Sequence, residues 1–444
     1  MISKVGPTLH VVPGRRVTLK LTNKLDTATN LHFHGMHLSP KGSADNIMLS
    51  AQPGQTLTYH LDIPATQAPG TYWYHDHEMC SRDGEPMPGM EMTSAPAGTR
   101  CNGTESQIGA GLSGTIIVGD TRESLPPAYR GITAHTLALK DAQISGSSSI
   151  VYPDGVLEPA SPTVRLVNGQ FQPTLNVKAG ETQLWRMANE GAIFYDLQLD
   201  GGSLTVINQD GIPSAAPTRA NPPSGSARQT LRRPGDRRSP RINLAQNPRP
   251  RDRDGGRRRL LPRHHPHEGR CPTGQRERGA GCHRGTVGHG HLAPDRRTAF
   301  RIRTDLSGEP IAQSRSVALS DDGGKNFWIN GKLFDMRKPT FKKPATLGTV
   351  EEWTLTNTSG HDHPFHLHIA PFQVLSVNGV AQPPADHMDT VSVPHAVPGT
   401  AGKAVIRIRF TDFTGQWMFH CHITGHEDNG MMGYVNVIAA GSSG

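Results

Sequence analysis

L-G-T-V-E-E-W-T-L-T-N (347–357) reads as a turn, then a strand, then a closing Asn. The same phrase occurs at P-G-R-R-V-T-L-K-L-T-N (13–23) and A-G-E-T-Q-L-W-R-M-A-N (179–189). Repetition at intervals of roughly 170 residues predicts three copies of one supersecondary unit. Around the first copy lie further strand-like runs: L-H-F-H (31–34), Q-T-L-T-Y-H-L (55–61), T-Y-W-Y-H-D-H (71–77) and G-T-I-I-V (114–118). Gly and Pro clusters separate them at the short intervals of a β-sandwich. The pattern restarts near Ile132, runs to L-T-V-I-N-Q-D-G (204–211), and returns from Phe327 to Val437. The expectation is an all-β chain with domains at 1–122, 123–305 and 306–444.

The 444 residues agree with about three domains at ~150 residues each. Gly (49) and Pro (36) make up about 19% of the chain against a typical ~12%, which favours turn-rich β structure over helical bundles. No run approaches the ~20 apolar residues of a membrane-spanning helix. The opening M-I-S-K-V-G-P-T-L-H carries no apolar signal-peptide region.

The formal net charge of +8 conceals an uneven distribution. Residues 219–297 hold 20 Arg, no Lys and six acids, so the remainder is net acidic. That segment has no Phe, Trp, Tyr or Met, and one Val and one Ile. Such a composition cannot bury enough apolar surface to form a core. A nucleic-acid-binding arm would interleave aromatics and Lys, and none are present. A native disordered loop and a translated frameshift in GC-rich coding sequence remain, and the frameshift is the preferred reading. The second domain is then disrupted, and the histidines and the two cysteines of the segment are incidental to any site. The five Cys (80, 101, 271, 282, 421) include no C-x-x-C pair of zinc spacing.

His is the abundant ligand type, and four clusters stand out: H-F-H (32–34), H-D-H (75–77), H-P-F-H-L-H (363–368) and H-C-H-I-T-G-H-E-D-N-G-M-M (420–432). Alternate residues of a strand share a face. His32/His34, His75/His77, His366/His368 and His420/His422 are therefore same-face pairs, together enough imidazoles for three metal ions. Cys421 points the opposite way, and so does His363. The opposite side gathers His363, Cys421, His426 and the sulfur of Met431. Two His, one Cys and a weak axial Met is the donor set of a blue-copper electron-transfer site. A redox-active thiolate suits copper better than zinc. The H-C-H order joins the two sites through one stretch of backbone.

These motifs resemble the multicopper oxidases of the laccase type. H-D-H followed by H-C-H-x-x-x-H-E-D-x-x-M is similar to the bacterial spore-coat laccase and bilirubin oxidase branch. The resemblance covers most of 5–212 and 300–438. It implies three cupredoxin-like Greek-key β-sandwich domains and four coppers. By resemblance, His32 and His366 bind the type 2 copper. His34, His75 and His422 bind one type 3 copper, and His77, His368 and His420 the other. His363, Cys421, His426 and Met431 bind the type 1 copper. The implied activity is one-electron oxidation of phenolic, aromatic or metal-ion donors coupled to four-electron reduction of O₂ to water. Glu427 and Asp45 match acidic positions that would handle protons. The implied partners are O₂ and a small reducing substrate, with no nucleic acid and no membrane span. The implied location is periplasmic or secreted, and the export signal and leading strand that the resemblance implies ahead of Gly6 are expected to be missing from this sequence. Competing readings are a copper-binding protein without turnover and an inactive product of a frameshifted gene. Met79, Met87, Met90 and Met92 suit either Cu(I) binding or, preferably, a loop packing its own apolar side chains. Cys80 and Cys101 are candidates for a disulfide.

Overall fold

The computed structural model describes residues 5–80, 86–88, 102–143, 163–191, 194–200, 202–219, 241–246, 304–323, 325–383 and 387–442. Strand pairing falls into three sets that do not mix. In the first, a four-stranded sheet runs in the order Leu9–Val11, Ser113–Val118, Gly70–His75, His32–His34, and Arg16–Thr22 pairs with Thr56–Asp62. Phe33, Tyr59, Leu61, Tyr72, Ile116 and Val118 form the core of this set.

The second set contains Leu184–Asn189, Ala134–Gln143, Thr163–Val167 and Gln170–Phe171 in that order. It also contains the pairs Tyr195–Asp200 with Arg241–Gln246 and Thr205–Gln209 with Ile212–Arg219. Arg241–Gln246 is thus a paired strand inside the Arg-rich segment. Arg219 closes the strand Ile212–Arg219, and the rest of 219–297 lies outside the described residues.

The third set is a two-sheet sandwich. One sheet runs Phe327–Ile329, Ile311–Asp321, Val350–Asn357, Gly402–Arg409, Phe372–Val377, Val380–Ala381, with His387–Met388 also on Phe372–Val377. The other runs Ala345–Thr346, Met432–Ile438, Gly415–Cys421, His363–Leu367, Thr390–Val393. Trp353, Phe365, Phe372, Trp417 and Phe419 fill the space between them. Alternation decides which side chains enter that core: Trp417, Phe419 and Cys421 face inward, while Met418 faces the first domain's Ile47 and Met79.

The repeated phrase has a structural counterpart in its closing Asn. Asn23 Nδ2 donates to the carbonyls of Thr27 (2.7 Å) and Ala51 (2.8 Å). Asn357 Nδ2 donates to those of His361 (2.7 Å) and Val393 (3.1 Å). In all three copies the Asn side-chain oxygen accepts the backbone N–H two residues on: Leu25, Gly191 and Ser359. This is an Asx turn, which ends a strand by offering the backbone a local partner. Asn357 is fully buried. Truncating it orphans several buried backbone groups, each costing about 1–3 kcal/mol. We therefore expect Asn357→Ala to destabilise the third domain by about 2–4 kcal/mol, read as a lowered midpoint in urea unfolding. An unchanged midpoint would refute this account of the turn.

The first and third domains share an interface. His37 bridges the Ile369 carbonyl and the Asp412 carboxylate, both at 2.8 Å. Lys41 Nζ donates to Thr414 Oγ1 (2.8 Å). Asp428 accepts the backbone N–H groups of Thr104 and Glu105, both at 2.9 Å, at the start of the helix Thr104–Ala110. Met79 and Met87 pack with Phe334, Met418, Met432 and Tyr434, so these two methionines serve the interface core. Met90 and Met92 lie outside the described residues. Cys80 is buried and engaged in a disulfide, and its proposed partner Cys101 lies outside the described residues.

Candidate metal centre

Strand pairing in each domain carries the histidines to this interface. His32–His34 lies antiparallel to Gly70–His75, which puts His32 opposite His75. His363–Leu367 lies antiparallel to Gly415–Cys421, which puts His366 opposite His420 and Phe365 opposite Cys421. His77, His368 and His422 fall just beyond their strands' ends, yet all three turn into the same space. The His32 and His368 rings stack at 3.9 Å, and those of His34 and His366 at 3.8 Å. His368 Nε2 is 3.0 Å from His420 Nε2, and His422 Nε2 is 3.1 Å from His34 Nδ1. His77 lies 5.2 Å from His420 between ring centres. All eight paired imidazoles expected from parity meet here, four from each domain.

The outward nitrogens are held and several inward ones are not. His32 Nδ1 is 3.0 Å from Asp45 Oδ1. His75 Nδ1 donates to the Asp76 carbonyl (2.8 Å), and His366 Nδ1 to the Asp389 carbonyl (2.9 Å). Glu427 reaches two rings, with Oε2 3.0 Å from His420 Nδ1 and Oε1 3.3 Å from His77 Nε2. His32 Nε2, His75 Nε2 and His366 Nε2 are buried with no hydrogen-bond partner. Buried polar atoms left unpaired are costly and rare. Imidazoles fixed through one nitrogen with the other bare are in the form that binds metal. Burial, then the neighbouring imidazoles, lowers the pKa of His32, His75, His368 and His422 well below the usual range. Burial brings His366 to about 3 and His77 to about 4. All six are neutral at neutral pH, as ligation requires.

On the other face of the H-C-H strand, Cys421 Sγ lies 3.4 Å from His363 Nδ1 and 3.5 Å from His426 Nδ1. The two nitrogens are 3.2 Å apart. His363 Nε2 faces Ser359 Oγ at 2.7 Å, and Ser359 is held by Asn357. The strand-ending Asn therefore also orients this imidazole. The His426 ring stacks on Phe327 at 4.0 Å. Cys421 is the one free cysteine among the described residues, and burial pushes its thiol up. Met431 is fully buried, and its carbonyl accepts the Cys421 N–H (3.1 Å). A thiol with two imidazole nitrogens facing it fits a copper ion of the blue type. The bare-nitrogen cluster fits imidazole-bound copper.

Both acids named from sequence are buried at this centre. Asp45 also accepts the Phe33 N–H (3.0 Å), and burial raises it to about 7. Burial would raise Glu427 too, but His420 and His77 more than offset it, to about 2. Sequence reasoning missed Asp389, whose Oδ1 is 3.2 Å from His34 Nε2 and 3.7 Å from His366 Nδ1. Burial opposes its charge, but these two imidazoles hold it below the carboxylate range. Only the pairing of Thr390–Val393 with His363–Leu367 brings it there, and local pattern does not reveal that pairing.

Multicopper oxidase family models match residues 309–440 and 3–95, together just over half of the chain. The chain is 27% identical to a multicopper oxidase of Staphylococcus aureus, over 98% of this chain and 82% of that protein. It is 24% identical to a bilirubin oxidase of Albifimbria verrucaria, over 97% and 71%. The structure resembles that of a laccase from Pediococcus acidilactici, with a TM-score of 0.64, 20% identity, and coverage of 98% of this chain and 83% of that one. At that identity the likeness concerns the fold, which is the cupredoxin sandwich that the family resemblance implies. All four histidine clusters fall inside the matched segments. The chain accordingly belongs to the multicopper oxidases, as a laccase-like oxidoreductase that couples copper-dependent oxidation of a reducing substrate to the reduction of O₂.

Proposed function

We propose that this chain holds one type 1, one type 2 and two type 3 coppers and oxidises phenolic, aromatic or metal-ion donors outside the cytoplasm. The observation that carries the reading is the division of donors by the strand Gly415–Cys421 and the residue after it. Cys421 faces His363 and His426. His420 and His422 face the interdomain cluster. His363, Cys421, His426 and Met431 are assigned to the type 1 ion. His32 and His366 are assigned to the type 2 ion. His34, His75 and His422 are assigned to one type 3 ion, and His77, His368 and His420 to the other. Bound copper supplies one-electron chemistry on the Cys421 side and O₂ reduction at the cluster.

The protein's own groups orient and protonate. Asp45 and the backbone carbonyls of Asp76 and Asp389 fix ring orientations of His32, His75 and His366. Such partners typically matter by about 10–100-fold in metal affinity or activity. Glu427 stands against His77 and His420 and is assigned to relay protons on the O₂ side as a carboxylate, with Asp45 beside His32. Covalent continuity through Cys421 makes the route between the two faces a few bonds long.

Metal analysis of the copper-loaded chain tests the stoichiometry, with O₂ uptake on a phenolic donor measured on the same sample. We expect four coppers per chain, a blue colour that a chelator removes, and donor-dependent O₂ consumption. Fewer coppers, or a blue protein that consumes no O₂, would overturn the assignment.

A further inference from the structure

The second domain reaches the oxygen side through a single turn. Thr205–Gln209 pairs antiparallel with Ile212–Arg219, and Gln209 stands opposite Ile212. Asp210 and Gly211 are thus a two-residue hairpin turn, with φ of 49° and 73°. Positive φ at both positions is what Asp-Gly supplies in such turns. The turn is seated on the first domain. Tyr72 Oη donates to the Gly211 carbonyl (3.0 Å), and a Cβ on Gly211 would clash with the Tyr72 ring. A Cβ on Gly70 would likewise meet the Gly211 backbone at 2.6 Å.

From that seat the Asp210 carboxylate reaches the third domain. Its Oδ2 accepts the Asp389 N–H at 3.3 Å. Burial, then the neighbouring Asp389 carboxylate, raises the Asp210 carboxyl well above its usual range, and the hydrogen bonds from the Asp389 and Thr390 amides offset this only in part. Asp389 is then held at one end and holds two ligands at the other. Its carbonyl accepts from His366 Nδ1 (2.9 Å), and its Oδ1 faces His34 Nε2 (3.2 Å). Asp389 Oδ2 packs against the first domain, where a Cβ on Gly35 would lie 2.7 Å from it. All three domains meet within this one chain of contacts.

We propose that Asp210 is a positioning residue of the oxygen-reducing site: through the Asp389 backbone, the hairpin of the second domain sets the orientation of His34 and His366. This inference rests on the assignment of those two imidazoles as copper ligands. It makes the second domain, which contributes none of the assigned ligands, part of the site's geometry.

Two variants of the full-length chain test it, and both keep the turn. Asp210→Gly deletes the acceptor and tolerates positive φ, whereas Asp210→Asn keeps an acceptor oxygen and tolerates positive φ. In copper-loaded Asp210→Gly, the blue colour, the type 1 electron paramagnetic resonance signal and the KM for donor should match the parent. The type 2 signal should be altered or lost. The turnover number and the rate of reoxidation by O₂ should fall by roughly 10–100-fold. Hydrogen exchange at the Asp389 and Thr390 amides should quicken, with and without copper. Asp210→Asn should restore all four toward the parent. An unchanged type 2 signal and reoxidation rate in Asp210→Gly would overturn the proposal. So would loss of the type 1 signal along with type 2, or an Asp210→Asn as impaired as Asp210→Gly. A parent protein with no type 2 signal would instead refute the copper assignment before any variant is made, and this inference would fall with it.

Discussion

Cys421→Ser is expected to turn the copper-loaded protein colourless and to cut donor oxidation by more than about a hundredfold, beyond what residues that only orient a ligand achieve. Cys421 is fully buried, and its sulfur lies 3.4 and 3.5 Å from the two facing imidazole nitrogens. The colour of a blue site comes from the thiolate, and a hydroxyl does not replace it. Serine is close to cysteine in shape, and the backbone bond from residue 421 to the Met431 carbonyl does not depend on the side chain. The strand pairing of Gly415–Cys421 should therefore persist, and circular dichroism would check it. Absorbance of the loaded variant decides the matter, since a retained blue band would mean that another group ligates the copper.

His366→Ala should separate the two halves of the chemistry. His366 Nε2 is buried without a partner, and its neighbours are the rings of His34, His368, His420 and His422. The residue before it, Phe365, is the one paired with Cys421 and packs in the sandwich core. Removing the imidazole thus opens the interdomain cluster and leaves the Cys421 face intact. The variant should be blue, should lose copper from the cluster, and should be bleached by a reductant. Air should then fail to restore the colour, with reoxidation slowed by more than about a hundredfold. Rapid reoxidation at confirmed low type 2 occupancy would contradict the division of labour. Loss of the blue colour as well would show that the two faces are not independent.

The residues assigned as copper donors were legible because a strand has a period of two, and H-x-H therefore places both imidazoles on one side. The same parity put Cys421 and His363 on the other side, and the sandwich core lies there. Parity alone did not show that His77, His368 and His422 lie past the ends of their strands. His77 is steered instead by Asn30, whose side-chain oxygen accepts its N–H (2.8 Å). The acids that hold the rings were only partly legible. Glu427 and Asp45 sit within or near the motifs, whereas Asp389 and Asp210 arrive through long-range pairing and domain docking. D-G (210–211) stood only as the end of a strand-like run, and nothing local announces where its turn is seated. The recurring Asn marked three modules. That each caps its strand with the same hydrogen bond emerged only from the backbone geometry.

Four imidazoles from each of two domains have a thermodynamic consequence. An ion at that interface binds the docked pair and has no equal affinity for the domains apart. By linkage, occupancy at a hundred times the dissociation constant would stabilise docking by roughly 2.7 kcal/mol for one site. Copper bound there would act as an assembly ligand, and its release would loosen the joint. Contacts remote from any metal, such as His37 with Asp412 and Lys41 with Thr414, belong to the same equilibrium. Weakening them should lower the apparent affinity for the cluster ions while leaving the affinity of the Cys421 site, which lies within one domain, where it was.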